Sequence, residues 1–219
     1  TENDYFGKVM ANRVWADMMG RGLVEPVDDL RATNPATNEP LLAALGEYFA
    51  ENKYDIKKLI GVIAKSYVYG LSSEPTKRNV ADTRNYSRHY RVRLRAEVLL
   101  DAISDITAMP NNFSAMPYGS RSNQIWTHRV TSLFLDTFGR PDPNQDPPCE
   151  RTPDSTVTQI LHLMNSPELH AKVTNSSNAI SIMIDEQKTE PADVIKRIYL
   201  LCYSREPDDE EIEICSKIF

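Results

Sequence analysis

Cysteine is scarce: Cys149, Cys202 and Cys215 are all that the 219 residues contain, and no two of them form a C-x-x-C pair. That spacing excludes a zinc ribbon and a haem-attachment site, and the odd number leaves at least one thiol unpaired within the chain. No apolar run approaches the length of a bilayer span, and no signal-peptide pattern is present. Positive charge is also short, with 25 Lys and Arg against 31 Asp and Glu and a net charge of -6. A general nucleic-acid binder needs a basic surface to neutralise phosphates, so no nucleic acid is expected as a partner. His89, His128, His162 and His170 show neither H-E-x-x-H nor another dense ligand spacing, and G-x-S-x-G, P-loop and dinucleotide glycine patterns are missing. The residues therefore point to no metal and no cofactor in this segment, and they lean away from an enzyme.

What is present is an ordinary globular composition, 41% hydrophobic and 26% charged, long enough to bury a sizeable core. The patterning predicts a mainly α fold: one irregular multi-helix domain with long loops over residues 1–219. Phe6, Met10, Val14 and Met18 recur every fourth residue, widened by Val9 and Trp15, and Gly20 and Gly22 stop that helix. A second helix fits Leu41, Leu42, Leu45, Tyr48 and Phe49, with Asn38 as cap and Pro40 in its first turn. A third fits Ile56, Leu59, Ile60, Ile63 and Tyr67, capped by Asp55, and a short polar connection makes the two a helical hairpin. After a polar surface stretch from Leu71 to Tyr90, a strong helix uses Leu94, Val98, Leu99, Ala102, Ile103 and Ile106. Residues 108–155 are irregular and proline-rich, interrupted around Val130 to Phe138. Helix returns at Val157 to Met164, Ile180 to Ile184, Val194 to Cys202 behind Pro191, and from Pro207, where Asp208, Asp209, Glu210 and Glu211 suit a helix N-terminus. The chain opens at Thr1 and stops at Phe219 inside a helix lacking a C-cap, which reads as a segment of a longer multidomain protein.

Loop arginines are the conspicuous feature in this acidic chain. Arg13, Arg21, Asp28, Asp29 and Arg31 could surround a ligand, because a guanidinium fork suits carboxylate, phosphate or sulfate. They could equally form an ion-pair network that fixes the loop after the first helix. The run from Tyr86 to Glu97 interleaves aromatics with Arg88, Arg91, Arg93 and Arg95, a pattern suited to anions, acidic sugars or single-stranded nucleic acid, or to a solvated face whose arginines pair with local acids such as Glu97. Arg121 and Arg140 each follow a Gly-containing turn, and Cys149-Glu150-Arg151 places a thiol among charges. His162, between Leu161 and Leu163, reads as a hydrogen-bonded core residue.

Asn12-Arg13-Val14-Trp15, Gly20-Arg21-Gly22-Leu23-Val24, Pro26-Val27-Asp28-Asp29-Leu30-Arg31 and Asn34-Pro35 together resemble the domain of unknown function 1553 family. So do Arg93 to Ala102, Phe134 to Pro141 and Cys149-Glu150-Arg151, and the matches run on to Leu201, Ser204, Arg205 and Pro207. The resemblance implies a domain of large, usually exported proteins of planctomycetes and related bacteria, with other domains of the same polypeptide as partners and sometimes a haem c module elsewhere in the parent chain. Family members often carry a second cysteine two places before the Cys-Glu-Arg step, and here Pro147 stands there, against a local metal or redox pair at Cys149. No catalytic residue transfers.

Three functions follow as expectations. The first is a non-enzymatic binding or interaction module of an exported protein, with an arginine-rich site for an anionic glycan or small anion. The second is a hydrolase or redox-linked accessory using Asp28, Asp29, Glu97 and Glu150 as acid–base groups in one cleft. The third is a structural domain packed on the rest of its parent chain, marked by exposure of Trp126 or Phe138.

Overall fold

The computed structural model describes residues 3–127, 129–141, 156–187 and 190–217. Among these the protein is mainly α, with ten α-helices, one short 3-10 helix and no strand. No helix among them is long and apolar enough to cross a membrane. The chain divides into two compact units, Thr1–Arg93 and Leu94–Phe219.

The first unit is built on α1 (Asp4–Met19), α2 (Glu39–Glu51) and α3 (Ile56–Ala64). The expected punctuation holds. Asn38 accepts from the Leu41 N–H, Pro40 sits in the first turn of α2, and Asp55 accepts from the Lys57 and Lys58 N–H groups. Gly20 ends α1 in the left-handed region at φ 80°, a conformation that a β-carbon disfavours.

Two details differ from the patterning. The buried face of α1 is Ala11, Trp15 and Met19, one residue round from the expected stripe, and Phe6 is half exposed. The physical reason is close approach: a β-carbon at Gly7 would lie 2.9 Å from the Gly46 carbonyl oxygen, so α1 and α2 meet through two glycines. Helix three stops at Ala64, and Tyr67 stands in solvent.

The core of this unit gathers Ala11, Trp15, Met19, Leu23, Leu42, Phe49, Leu59, Ile63 and Tyr86. Each fully buried large side chain contributes roughly 1.5–3 kcal/mol. Two polar side chains then tie the irregular segments to it. Asn12, wholly buried, donates Nδ2 to the carbonyls of Val24 at 3.0 Å and Val27 at 2.7 Å, and its Oδ1 accepts from the Val24 N–H at 3.0 Å. Tyr86 stacks edge-on against Trp15 and donates its hydroxyl to the carbonyls of Arg21 and Gly22.

Burial pushes the Tyr86 phenol up from 10.0 to about 12. A raised pKa in the fold means that the neutral phenol's stability contribution is complete below pH about 10 and disappears as pH climbs through about 12. Urea titrations between pH 9 and 12 are expected to show stability falling with pH in the wild type and a flatter profile in Tyr86→Phe. Equal slopes would refute the assignment.

The second unit contains α4 (Ala96–Thr107), the 3-10 turn η1 (Ser122–Gln124), α5 (Leu133–Thr137), α6 (Val157–Asn165), α7 (Pro167–Thr174), α8 (Ala179–Gln187), α9 (Pro191–Tyr203) and α10 (Asp209–Ser216). Its core joins Ala96, Leu100, Phe113, Val130, Phe134, Leu135, Phe138 and Leu169. On α4 the buried residues are Ala96, Leu100, Asp101 and Thr107. Leu94 precedes the helix, and both it and Val98 face solvent, contrary to the expected stripe.

Helix α7 was not anticipated, although Ser166 caps it and Pro167 opens it. Its buried Lys172 donates Nζ to the carbonyls of Met109 at 2.6 Å and Pro110 at 3.1 Å, placing positive charge beyond the negative end of α4. His162 is half-buried and lies edge-on to Phe134 and Phe138. Cys202 and Cys215 are both free thiols.

Candidate functional site

The most developed polar site lies in the second unit and is organised by Asp101. This carboxylate is 3% exposed, on the inward face of α4. It accepts from the Ser122 N–H at 2.6 Å, the Asn123 N–H at 3.2 Å and the Asn123 side-chain amide at 3.0 Å, so it holds η1 against the helix. One turn further on, Asp105 receives both terminal nitrogens of Arg121 at 2.9 and 2.8 Å. The Arg121 guanidinium depresses the Asp105 carboxyl, first by hydrogen bonding and then by charge.

The opposite wall comes from the turn after α5. Gly139, at φ 82°, turns the chain there, and the Arg140 N–H returns to the Leu135 carbonyl at 3.0 Å. The Arg140 side chain is only 5% exposed, and its Nε pairs with Asp136 at 2.5 Å across one helical turn. Its Nη1 is buried with no hydrogen-bond partner among the described residues. A buried unpaired donor costs about 1–3 kcal/mol, more when charged, so this nitrogen marks a place where an acceptor is wanted.

Between these walls lies a cleft of about 240 Å³, lined by Glu97, Ser122, Asn123, Ile125, Trp126, Thr127, Leu135, Arg140 and Pro141. Trp126 is 75% exposed and offers an open aromatic surface at the rim. The arrangement combines one buried cation, one carboxylate in Glu97, several short polar side chains and one flat apolar face.

Of the residues singled out from sequence, Glu97 and Arg140 meet in this cleft, and Arg121 braces it from the η1 loop. Arg13 and Asp28 instead form a two-pronged exposed pair at 2.6 and 2.8 Å, and Arg31 and Asp29 another at 2.5 and 2.7 Å. Hydrogen bonding to Arg13 lowers the Asp28 pKa, the opposite of what a general acid needs. Each of these two carboxylates is thus held by an arginine.

Arg21 lines a separate cavity in the first unit, beside Arg88 and Tyr90. Arg93 and Arg95 are exposed. Glu150, Arg151 and Cys149 lie outside the described residues. Among the described residues, no group of three or more His, Cys, Asp or Glu side chains could hold a metal ion.

Sequence reasoning missed Asp101 and Asn123. The available signal was an acid directly following Leu100 within an apolar helix, where a carboxylate must find donors or remain outside. The segment around η1 carries its own mark in Ile125-Trp126, a large apolar pair inside a polar loop.

A mainly helical domain carrying a polar cleft with a buried arginine and an exposed tryptophan is the class of protein that the fold and site define. The PSD1 family, described as a protein of unknown function (DUF1553), matches residues 1–219, and the chain belongs to that family. No curated protein and no solved structure matches it.

Proposed function

We propose that this domain is a non-enzymatic binding module whose cleft takes one acidic sugar residue, within an exported, multidomain, planctomycete-type parent protein. The observation that carries the reading is the buried Arg140 with its unpartnered Nη1 beside the exposed Trp126. A guanidinium presents hydrogen bonds to a carboxylate or sulfate, while an indole face covers the C–H face of a sugar ring. Cavities for drug-sized ligands run from roughly 300 Å³ upward, so 240 Å³ suits one ring and its substituents. The export and the parent architecture rest on the family resemblance.

Arg140→Gln is expected to weaken binding of a uronic-acid oligosaccharide about 10- to 100-fold, the equivalent of one charge-assisted hydrogen bond worth about 1.5–3 kcal/mol. Arg140→Lys keeps the charge and should lose less. Calorimetric titration of both variants, with folding checked by circular dichroism, decides the matter. Unchanged affinity in folded Arg140→Gln would end this reading.

A second reading has its own support. Val157, Ile160, Leu161 and Met164 of α6 are all at least half exposed, which is the signature of a helix that docks on something. On that reading the domain packs against other parts of its parent chain. Trp126 serves either reading, whereas Arg140 serves only the first.

A further inference from the structure

We infer that the first unit carries a second binding site, for a sulfate or phosphate group borne by a small hydroxylated molecule, in the cavity formed by Gly20, Arg21, Glu25, Thr83, Arg88 and Tyr90. The inference is independent of the cleft around Arg140.

The first observation concerns the partners of the arginines. Arg13, Arg31, Arg91, Arg121, Arg140 and Arg205 each meet a carboxylate: Asp28, Asp29, Glu74, Asp105, Asp136 and Glu211 respectively. Arg21 and Arg88 meet none among the described residues, although the chain has an excess of acids and both arginines line one cavity. The Nε of each is shut off from solvent and has no hydrogen-bond partner among the described residues, and the Tyr90 hydroxyl, approached by the Tyr86 N–H, finds no acceptor there for its own proton. Two guanidinium groups that meet no carboxylate, on residues that line one cavity, form an incomplete set, and an oxyanion with several acceptor oxygens completes it.

The second observation is that the surroundings hold these donors in place. Arg88 lies over the Tyr90 ring at 5.1 Å, which fixes the plane of its guanidinium. The turn leading to Arg88 is tied by Asp82, whose carboxylate accepts from the N–H groups of Arg84, Asn85 and Ser87 and from the Ser87 hydroxyl. The backbone carbonyl of Arg21 is held by the Tyr86 hydroxyl at 3.0 Å. Gly20 is needed at the rim, because a β-carbon there would stand 2.9 Å from a Val92 methyl group. A phenol is protonated at neutral pH, so the Tyr90 hydroxyl has a proton to donate.

Glu25 sets the character of the ligand. One of its oxygens accepts from the Gly22 N–H at 2.5 Å, and its negative charge opposes a bare dianion. A hydroxyl next to the sulfate or phosphate gives Glu25 a donor to receive. The cavity, about 430 Å³, is far larger than a lone oxyanion and has room for the organic part.

The test is calorimetric titration of the chain at low salt with glucose 6-sulfate and glucose 6-phosphate, and with inorganic sulfate and phosphate. Because the Arg140 cleft can take the same esters, the titrations are run in the wild type and in Arg140→Gln, and saturable one-to-one binding of at least one sugar ester, tighter than that of the matching inorganic anion, is expected to remain in Arg140→Gln. Adding Arg21→Gln or Arg88→Gln to that variant should weaken the remaining binding at least tenfold. Arg88 is half-buried, so its variant reports on the site even if Arg21→Gln perturbs the loop. Absence of saturable binding for both esters, or equal binding by the folded Arg21→Gln/Arg88→Gln double variant, overturns the inference. Loss in Arg140→Gln with retention in the double variant overturns it as well, and would place the ligand in the other cleft.

Discussion

Replacing Asp101 with alanine is expected to cost the second unit about 3–5 kcal/mol of folding stability, at roughly 1–3 kcal/mol for each buried donor left without an acceptor and with partial relaxation. Three N–H donors lose their acceptor together: the backbone groups of Ser122 and Asn123 and the Asn123 amide. Ser122 is itself 1% exposed, so its N–H cannot turn to water without the loop leaving the helix. Arg121 keeps its pair with Asp105 but loses the second carboxylate, 3.6 Å away. Asp101→Asn retains one acceptor oxygen and turns an amide toward the remaining donors, so it should lie between alanine and wild type. Urea unfolding monitored by circular dichroism gives the three values. Because the same loop supplies Ser122 and Asn123 to the cleft, sugar binding should fall with stability. Near-wild-type stability in Asp101→Ala would show that η1 is held by something else.

Asn12→Ala is expected to destabilise the first unit by about 3 kcal/mol, since two carbonyls and one N–H are left unpartnered in the core at roughly 1–3 kcal/mol each, with partial relaxation. Asn12→Asp makes the sharper test. It preserves volume but replaces the donating amide with an oxygen facing the carbonyls of Val24 and Val27, so it should be at least as damaging as alanine. If aspartate were tolerated, the Asn12 amide would not be the tie between α1 and the following loop. Thermal unfolding of the two variants separates these outcomes.

Local chemistry was legible in the sequence, and encounters between distant segments were not. Asn38, Pro40 and Asp55 act within a turn of themselves, so their roles as caps and helix opener could be read directly, whereas Asp208, read as part of an acidic first turn, is the cap that precedes α10. The exposed pairs Arg13–Asp28 and Arg31–Asp29 show the limit of the same approach. Charges close in sequence read equally as a ligand site or as local pairs, and in the fold they neutralise one another. The sites themselves depend on returns of the chain. Asp101 reaches donors 21 and 22 residues away, and Tyr86, in the segment that supplies Arg88 and Tyr90, reaches Arg21 from 65 residues away. No periodicity encodes such meetings. The approach of Gly7 to Gly46 is likewise invisible, because glycine inside a helix pattern reads only as lost propensity. The exposed apolar face of α6 was legible as a helix but not as an exposed one, since amphipathic spacing does not say what the apolar side meets.

The central claim is that the Arg140 cleft recognises the acid group of a sugar, and one matched pair of ligands tests it most directly. Titrating the chain with glucuronate and with glucose, following Trp126 emission, compares molecules that differ at a single carbon. A saturable change with glucuronate, absent or at least tenfold weaker with glucose and lost on adding the Trp126→Phe substitution, is the predicted result. Equal responses to both sugars, or none to either, would contradict the claim and leave the exposed face of α6 as the main clue to what this domain does.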